Sequence, residues 1–231
     1  MILAAGFGSR LLPLTVAQPK ALVPAGGRAM IDWAIHSLRR AGCRRIVVNA
    51  HHHADAMESH LLGTDFGVEI VLLREQEILG TGGGILNARD VLDGGGPFLV
   101  HNADIISDFD CTRLIDEQSR SGALAILAVN QRPTSRPLRF NDDMIFLGKD
   151  VWREDGLEIP DASPSYGFCG IHLISPALFE CGVHPGFSDI FDVYRHAMHA
   201  GAFLRGHCFA GSWHDLGSLD RIRAFEESRK R

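Results

Sequence analysis

The chain has 231 residues, 45% of them hydrophobic and 22% charged, which is ordinary globular usage and enough for one large α/β domain. A formal charge of −5 argues against a protein that binds nucleic acid by neutralising backbone phosphates. Five scattered cysteines with no C-x-x-C pair suggest neither a disulfide framework nor a zinc site and point to a reducing cytoplasm, and no apolar run or leader-like segment suggests a membrane.

Residues 1–5 read as a short apolar strand, so Gly6-Phe7-Gly8-Ser9-Arg10 follows a strand end. Backbone N–H groups there can approach a phosphate with no side chain in the way. Arg10 offers a planar fork for phosphate oxygens, and Lys20, behind Pro19, adds a compact charge on a flexible stem. The glycine spacing fits neither a dinucleotide fingerprint, since Arg10 runs into Leu11, Leu12 and Pro13, nor a Walker loop, which the chain lacks.

Beyond this loop, strand-like and helix-like stretches alternate. Residues 29–41 have helical apolar spacing and stop at Gly42, and 45–49 form a β-branched strand. The same reading predicts a helix at 54–62, a strand at 68–73, a helix at 84–92 and a buried strand from 97 that ends at Asn102-Ala103-Asp104. A helix at 111–121 and a strand at 123–130 follow. Residues 131–165, rich in Pro, Asp and Arg, are expected to hold a lid or a small antiparallel insertion within a single domain spanning 1–231. A strand at 166–174, a helix at 188–200, a strand at 203–210 and a final helix from Ser218 to Lys230 complete the pattern. Such alternation predicts βαβ units, a mostly parallel sheet and ligands beyond the carboxyl ends of its strands.

Two further segments carry candidate chemistry. In Glu75-Gln76-Glu77-Ile78-Leu79-Gly80-Thr81-Gly82-Gly83-Gly84, tight turns and backbone N–H groups are suited to hug a base or ribose, and Glu75 to accept from a base edge. A ligand-free glycine-rich helix start is the alternative. Asp104 and Asp215 each follow an apolar stretch. They read either as turn residues or as two carboxylates that hold Mg²⁺ together with water and phosphate. His51-His52-His53 reads as a solvated strand-to-helix loop rather than a metal site, because three adjacent side chains cannot face one ion.

Gly6-x-Gly8-x-Arg10, with Pro13-Leu14-Thr15 and Pro19-Lys20, resembles the signature of the NTP:sugar-1-phosphate nucleotidyltransferase family. The segment from Glu75 is similar to the E-x-E-P-L-G-T-A-G base-recognition stretch of the family's mannose-1-phosphate guanylyltransferases, with Ile78 in place of Pro; its Gly-Gly-Gly form looks closer to the N-acetylmuramate 1-phosphate uridylyltransferases. Asn102-Ala103-Asp104 and Trp213-His214-Asp215-Leu216-Gly217-Ser218 resemble the metal motifs, so the likeness runs from Ile2 to Ser218.

The resemblance implies a Rossmann-like three-layer α/β/α fold with a mostly parallel central sheet, of the nucleotide-diphospho-sugar transferase type. It implies transfer of a nucleoside monophosphate from an NTP, UTP or GTP, to a sugar 1-phosphate with release of pyrophosphate, and UTP with N-acetylmuramate 1-phosphate is the expected pair. Arg10 and Lys20 are then expected to be catalytic, and Leu3, Ala4, Ala5, Gly6, Gly8, Glu75, Gly80, Thr81, Gly82 and Gly83 to bind nucleotide. Asn102 and Gly170 are expected on the sugar side, and Asp104 and Asp215 on Mg²⁺. Departures are Cys169, where relatives often carry an Asn-Ala-Gly turn, and the missing Glu-Lys-Pro segment in the 130s, whose lysine Arg132, Arg136 or Arg139 would have to replace. A cytidylyltransferase acting on an alcohol phosphate and a non-catalytic nucleotide-sugar-binding subunit are the alternatives. The sequence leaves oligomeric state open.

Overall fold

The computed structural model describes residues 1–155, 159–183 and 186–230. Residues 156–158, within the expected insertion, fall outside the described residues. The chain runs through β1 (Ile2–Leu3), a short hairpin of β2 (Pro24–Ala25) and β3 (Arg28–Ala29), α1 (Met30–Arg40), β4 (Arg45–Ala50), α2 (Ala54–Leu62) and β5 (Glu69–Arg74). Helices α3 (Gly80–Asn87) and α4 (Arg89–Leu92) lead to β6 (Phe98–Asn102), β7 (Ile105–Ser107), α5 (Thr112–Ser121) and β8 (Ala125–Asn130). The remainder is β9 (Leu138–Phe140), β10 (Phe146–Lys149), β11 (Ser165–Ile174), α6 (Ile190–His199), β12 (Leu204–Cys208), β13 (Trp213–Asp215) and α7 (Leu219–Ser228).

Strands β5, β4, β1 and β6 lie side by side and parallel, with Ile2 between Val48 and His101. Strand β11 then runs antiparallel to both β6 and β8, and β12 continues parallel to β8. The result is a Rossmann-like sheet with one reversed strand. At its first residues β11 also pairs with β9, whose hairpin with β10 extends the sheet.

Alternate residues of the central strands serve opposite faces, as the pleat requires. Ile46, Val48 and Ile126 pack with Ile35 and Leu38 of α1, Met57 of α2 and Leu114 of α5. Val47, Val100 and Leu127 pack with Ile85 of α3 and Ile190 and Tyr194 of α6. Both faces are covered, which is why these strands are continuous apolar runs rather than alternating ones. Each such buried aliphatic side chain contributes roughly 1.5–3 kcal/mol. A third, smaller cluster joins Leu11 of the first glycine loop to Leu216 and to Ile222 and Phe225 of α7.

Two histidines are sealed within the sheet. His172 Nδ1 lies 2.7 Å from the Tyr194 hydroxyl, and His101 Nδ1 lies 2.8 Å from the Asn102 carbonyl oxygen. Burial pushes His172 down to about 3 and His101 down to about 4, so both are neutral.

The structure departs from expectation at the β2–β3 hairpin, at α3 and at a second two-stranded ribbon. Helix α3 begins at Gly80, not at 84, and a break at Ala88 separates it from α4. The ribbon of β7 and β13 was not foreseen, because each strand has only three residues and their pairing joins distant segments.

Candidate active site

At the carboxyl ends of β1, β4 and β6 the structure opens a cavity of about 220 Å³. Its floor is Leu3, Ala4, Ala5 and Gly6, the chain leaving β1. Asn49 closes one side, Ile78, Gly80 and Thr81 another, and Asn102, Ala103, Asp104 and Lys20 the remainder. A Cβ built on Gly6 would meet nothing within 4 Å, so this stretch of backbone is bare toward the cavity.

The rest of the loop is held by its own residues. Gly8 adopts φ 65 as the cap of a 3₁₀ turn, Ser9–Leu11, and the Thr15 hydroxyl donates to its carbonyl at 3.1 Å. A Cβ on Gly8 would lie 2.7 Å from Lys20 Cβ. Gly8 therefore makes room for the lysine and is not among the residues that line the cavity. Leu11, fully buried, pins the turn to the third cluster. Lys20, released to the cavity edge, forms an ion pair with Asp104 Oδ2.

The second carboxylate arrives on the ribbon. Asp215 is opposite Ile105 in the β7–β13 register, and Leu216 N donates to the Asp104 carbonyl at 2.8 Å. Asp215 Oδ1 accepts from Gly217 N at 2.8 Å, and its other oxygen pairs with Arg221. A Cβ on Gly217 would lie 2.8 Å from Asp215 Oδ1 and 3.1 Å from Arg10 Nη2, which puts Arg10 beside Asp215. Asp215 and Arg10 sit next to the cavity rather than in its wall. Among the described residues no group of three or more His, Cys, Asp and Glu is spaced for a metal. Asp104 and Asp215 each already carry a cationic partner, and two carboxylates at one corner suit a hard dication that takes its other ligands from water and phosphate.

The second glycine segment departs further from expectation. Gly82 N and Gly83 N, in the first turn of α3, both point at the Ser188 carbonyl, at 2.9 and 3.4 Å. A Cβ on Gly82 would lie 2.8 Å from Val193 Cγ2, and one on Gly83 would overlap the Gly186 carbonyl oxygen. These two glycines allow close packing of α3 on the segment that enters α6. Gly80 (φ 72) and Thr81 do reach the cavity, although the Thr81 hydroxyl also accepts from Ile190 N at 2.9 Å.

Glu75 is buried and faces inward, where it accepts from Asn49 Nδ2 at 2.6 Å and from Leu79 N at 3.3 Å. Each carboxylate oxygen of Glu75 thus has a donor from the chain itself. The histidine triplet divides: His51 Nδ1 is 2.9 Å from the Glu75 carbonyl oxygen, the rings of His51 and His52 meet Phe7 edge-on, and His53 caps α2 at φ 55.

On the sugar side, Asn102 lines the cavity, and Gly170 (φ 73) supports it from behind. A Cβ there would lie 2.9 Å from Asn102 Nδ2. Burial pushes the Cys169 thiol up to about 12, and the Cys169 carbonyl accepts from Trp213 Nε1 at 2.9 Å. Of the three candidate arginines, Arg139 is committed to Asp150 at 2.8 and 3.0 Å. Arg132 donates to the Phe168 carbonyl at 2.7 Å and stacks 3.9 Å above Trp213. Arg136 is exposed. A cation that the sequence reading overlooked is Lys149 on β10, half-buried 3.6 Å from Asp189 and 4.0 Å over the Phe191 ring, with its pKa lowered by burial. Gly148-Lys149-Asp150 was its signal, a lone lysine at the end of a strand-like run.

Comparisons with known proteins place the chain in a family. The model of the nucleotidyl transferase family matches residues 1–140. N-acetylmuramate alpha-1-phosphate uridylyltransferase of Neisseria meningitidis serogroup B is 32% identical over 230 residues, 96% of this chain and 94% of that protein. Mannose-1-phosphate guanylyltransferase catalytic subunit beta of Drosophila pseudoobscura is 29% identical over 78% of this chain, which spans only 48% of the fly protein. UDP-glucose pyrophosphorylase from Acinetobacter baumanii superposes with a TM-score of 0.75 at 19% identity, covering 97% of this chain and 90% of that one, a likeness of fold.

Proposed function

The chain belongs to the nucleotidyl transferase family, and from that premise we propose that it transfers a nucleoside monophosphate from an NTP to a sugar 1-phosphate, releasing pyrophosphate and forming a nucleotide sugar. The observation that carries the reading is the Lys20–Asp104 pair at the edge of a cavity floored by the bare backbone of Gly6, at the carboxyl ends of parallel strands.

The chemistry asks little covalent help from the protein. A sugar phosphate is already an anionic nucleophile at neutral pH, so alignment with the α-phosphorus and neutralisation of charge lower the barrier. The backbone of residues 4–6 seats the nucleotide, Lys20 neutralises a phosphate oxygen, and Arg10 holds the departing pyrophosphate. Asp104 and Asp215 would hold Mg²⁺, which supplies Lewis-acid neutralisation of phosphate charge. Asn102 orients the sugar, and Lys149 is the candidate second lysine in place of an arginine from 132–139.

We assign UTP as donor and N-acetylmuramate 1-phosphate as acceptor, because the match to the Neisseria uridylyltransferase runs nearly end to end in both chains. Guanylyl transfer to mannose 1-phosphate is the second reading, supported by the fly relative. We place the reaction in the cytoplasm: all five cysteines are free thiols, which suits a reducing compartment. Among the described residues no helix is long and apolar enough to cross a membrane.

The test is a matrix of NTPs against sugar 1-phosphates with pyrophosphate release as readout. UTP with N-acetylmuramate 1-phosphate is expected to lead. A tenfold advantage in kcat/KM for GTP with mannose 1-phosphate, about 1.4 kcal/mol in transition-state binding, overturns the uridylyl assignment and leaves the transferase reading intact.

A further inference from the structure

Strand β1 has only two residues, so its ladder of hydrogen bonds ends where the cavity floor begins. Some other contact must fix the path of Ala4, and it comes from Asn49 at the end of β4. The Asn49 amide oxygen accepts from Ala4 N at 2.8 Å, and its NH₂ donates to Glu75 Oε1 at 2.6 Å. Both partners dictate the same orientation of the amide, one needing an acceptor and the other a donor. Glu75 passes the link on through its second oxygen, which accepts from Leu79 N beside Gly80 at 3.3 Å. Asn49 is 2% exposed and Glu75 7% exposed, so the chain of bonds is shielded from competing water. Gly84 belongs to the same assembly. A Cβ there would lie 2.8 Å from Asn49 Nδ2 and 3.0 Å from Glu75 Oε1.

We infer that Asn49, Glu75 and Gly84 form a buried clamp that sets the spacing between the cavity's floor at Ala4 and its wall at Gly80, and thereby controls nucleotide affinity without Glu75 touching the nucleotide. The inference rests on the transferase reading for its kinetic consequence. Asn49 and Glu75 are positioning residues, and the third glycine of the Gly82-Gly83-Gly84 run reflects the bond beneath it rather than the base above it.

Reversing the polarity of the bond tests this. Asn49→Asp sets two carboxylates against each other, which cannot both stay ionised at hydrogen-bond distance. The other charged or titratable groups nearby are His51, bonded to the Glu75 carbonyl, and Lys20 and Asp104 across the cavity. In Asn49→Asp, KM for the NTP is expected to rise about tenfold at pH 8 with kcat within about twofold, and to recover toward pH 6 as the pair shares a proton. In Asn49→Asp/Glu75→Gln every donor regains an acceptor. The new carboxylate at position 49 would accept from Ala4 N and from the new amide NH₂ at position 75, whose oxygen accepts from Leu79 N. The double variant is therefore expected to return KM to within about threefold of the parent at all pH values. A double variant no better than the single one means that the Glu75 carboxylate itself meets the nucleotide, and overturns the clamp. An unchanged KM in Asn49→Asp at pH 8 overturns it as well. Amide hydrogen exchange at Ala4 and Leu79, faster in Asn49→Asp and restored in the double variant, reads the clamp without turnover. If the parent protein releases no pyrophosphate from any pair of substrates, the functional reading fails while exchange still decides the clamp.

Discussion

Two glycine-rich turns meet at the cavity, and they use glycine for opposite ends. At Gly6 the missing side chain leaves backbone open to a ligand, and the neighbouring Phe7, Leu12, Leu14 and Val16 remain exposed. At Gly82 and Gly83 the missing side chains are filled by the chain itself, through Ser188, Val193 and Gly186. One turn leaves open space at the cavity, proposed above as the nucleotide's seat, and the other is an internal joint between α3 and α6. Glycine in a sequence marks close approach, and only packing shows what approaches.

The largest effect expected from this contrast is at the joint. Gly83→Ala should cost at least about 3 kcal/mol in denaturant unfolding, because its methyl overlaps a carbonyl oxygen that cannot move cheaply. A stable Gly83→Ala protein that loses only nucleotide affinity would show the second turn to be ligand-facing and erase the distinction. Next come the charges at the open turn. Lys20→Ala and Asp104→Ala should each lower kcat/KM about a hundredfold, near 2.7 kcal/mol, with little change in melting temperature. Activity is also expected to need Mg²⁺, so a chelator should abolish it and added Mg²⁺ restore it; chelator-resistant turnover removes the metal from Asp104 and Asp215.

A third test separates the sheet beneath from both turns. His172 and His101 are held neutral, with values of about 3 and about 4, whereas the unfolded chain binds protons near 6.5. Unfolding thus gains protons as pH falls below 6.5, and stability should drop by about 2 kcal/mol for the pair between pH 6.5 and 5.5. Unfolding free energies that stay flat over that range would mean that the histidines accept charge in the fold. The smallest effect belongs to Gly6→Ala, where space is free. Its stability should stay within about 0.5 kcal/mol of the parent while KM for the NTP rises a few-fold, and equal KM values would show that the first turn is not a contact surface.

Much of the fold was readable from periodicity. The helix expected at 29–41 is α1, Met30–Arg40, and the strand at 45–49 is β4, because both carry long apolar patterns that match one period. The start of α3 was misplaced because a glycine run has low helix propensity, and what makes Gly80 to Gly83 helical is the Ser188 carbonyl more than a hundred residues away. In the site, the stretch from Leu3 to Gly6, Lys20, Gly80, Thr81, Asn102 and Asp104 came together around one cavity. Asn49 escaped notice since an asparagine at a strand end is unremarkable until its two partners, 45 and 26 residues distant, are seen. Lys149 was missed for a related reason: its neighbours Asp189 and Phe191 belong to another element.

The reversed strand β11 is twice the length of its neighbour β6, and its pairing with β8 shifts register between Phe168 and His172, around the left-handed Gly170. The half beyond that bulge pairs with both β6 and β8, and the half before it pairs with β8 and with β9 of the β9–β10 hairpin. One covalent strand thus runs from the hairpin into the centre of the sheet, and at its bend Gly170 leaves no room for a Cβ beside Asn102 Nδ2. The hairpin that holds Lys149 and the strand that ends at Asn102 are joined through a single backbone, and any residue larger than glycine at position 170 would press on the cavity wall.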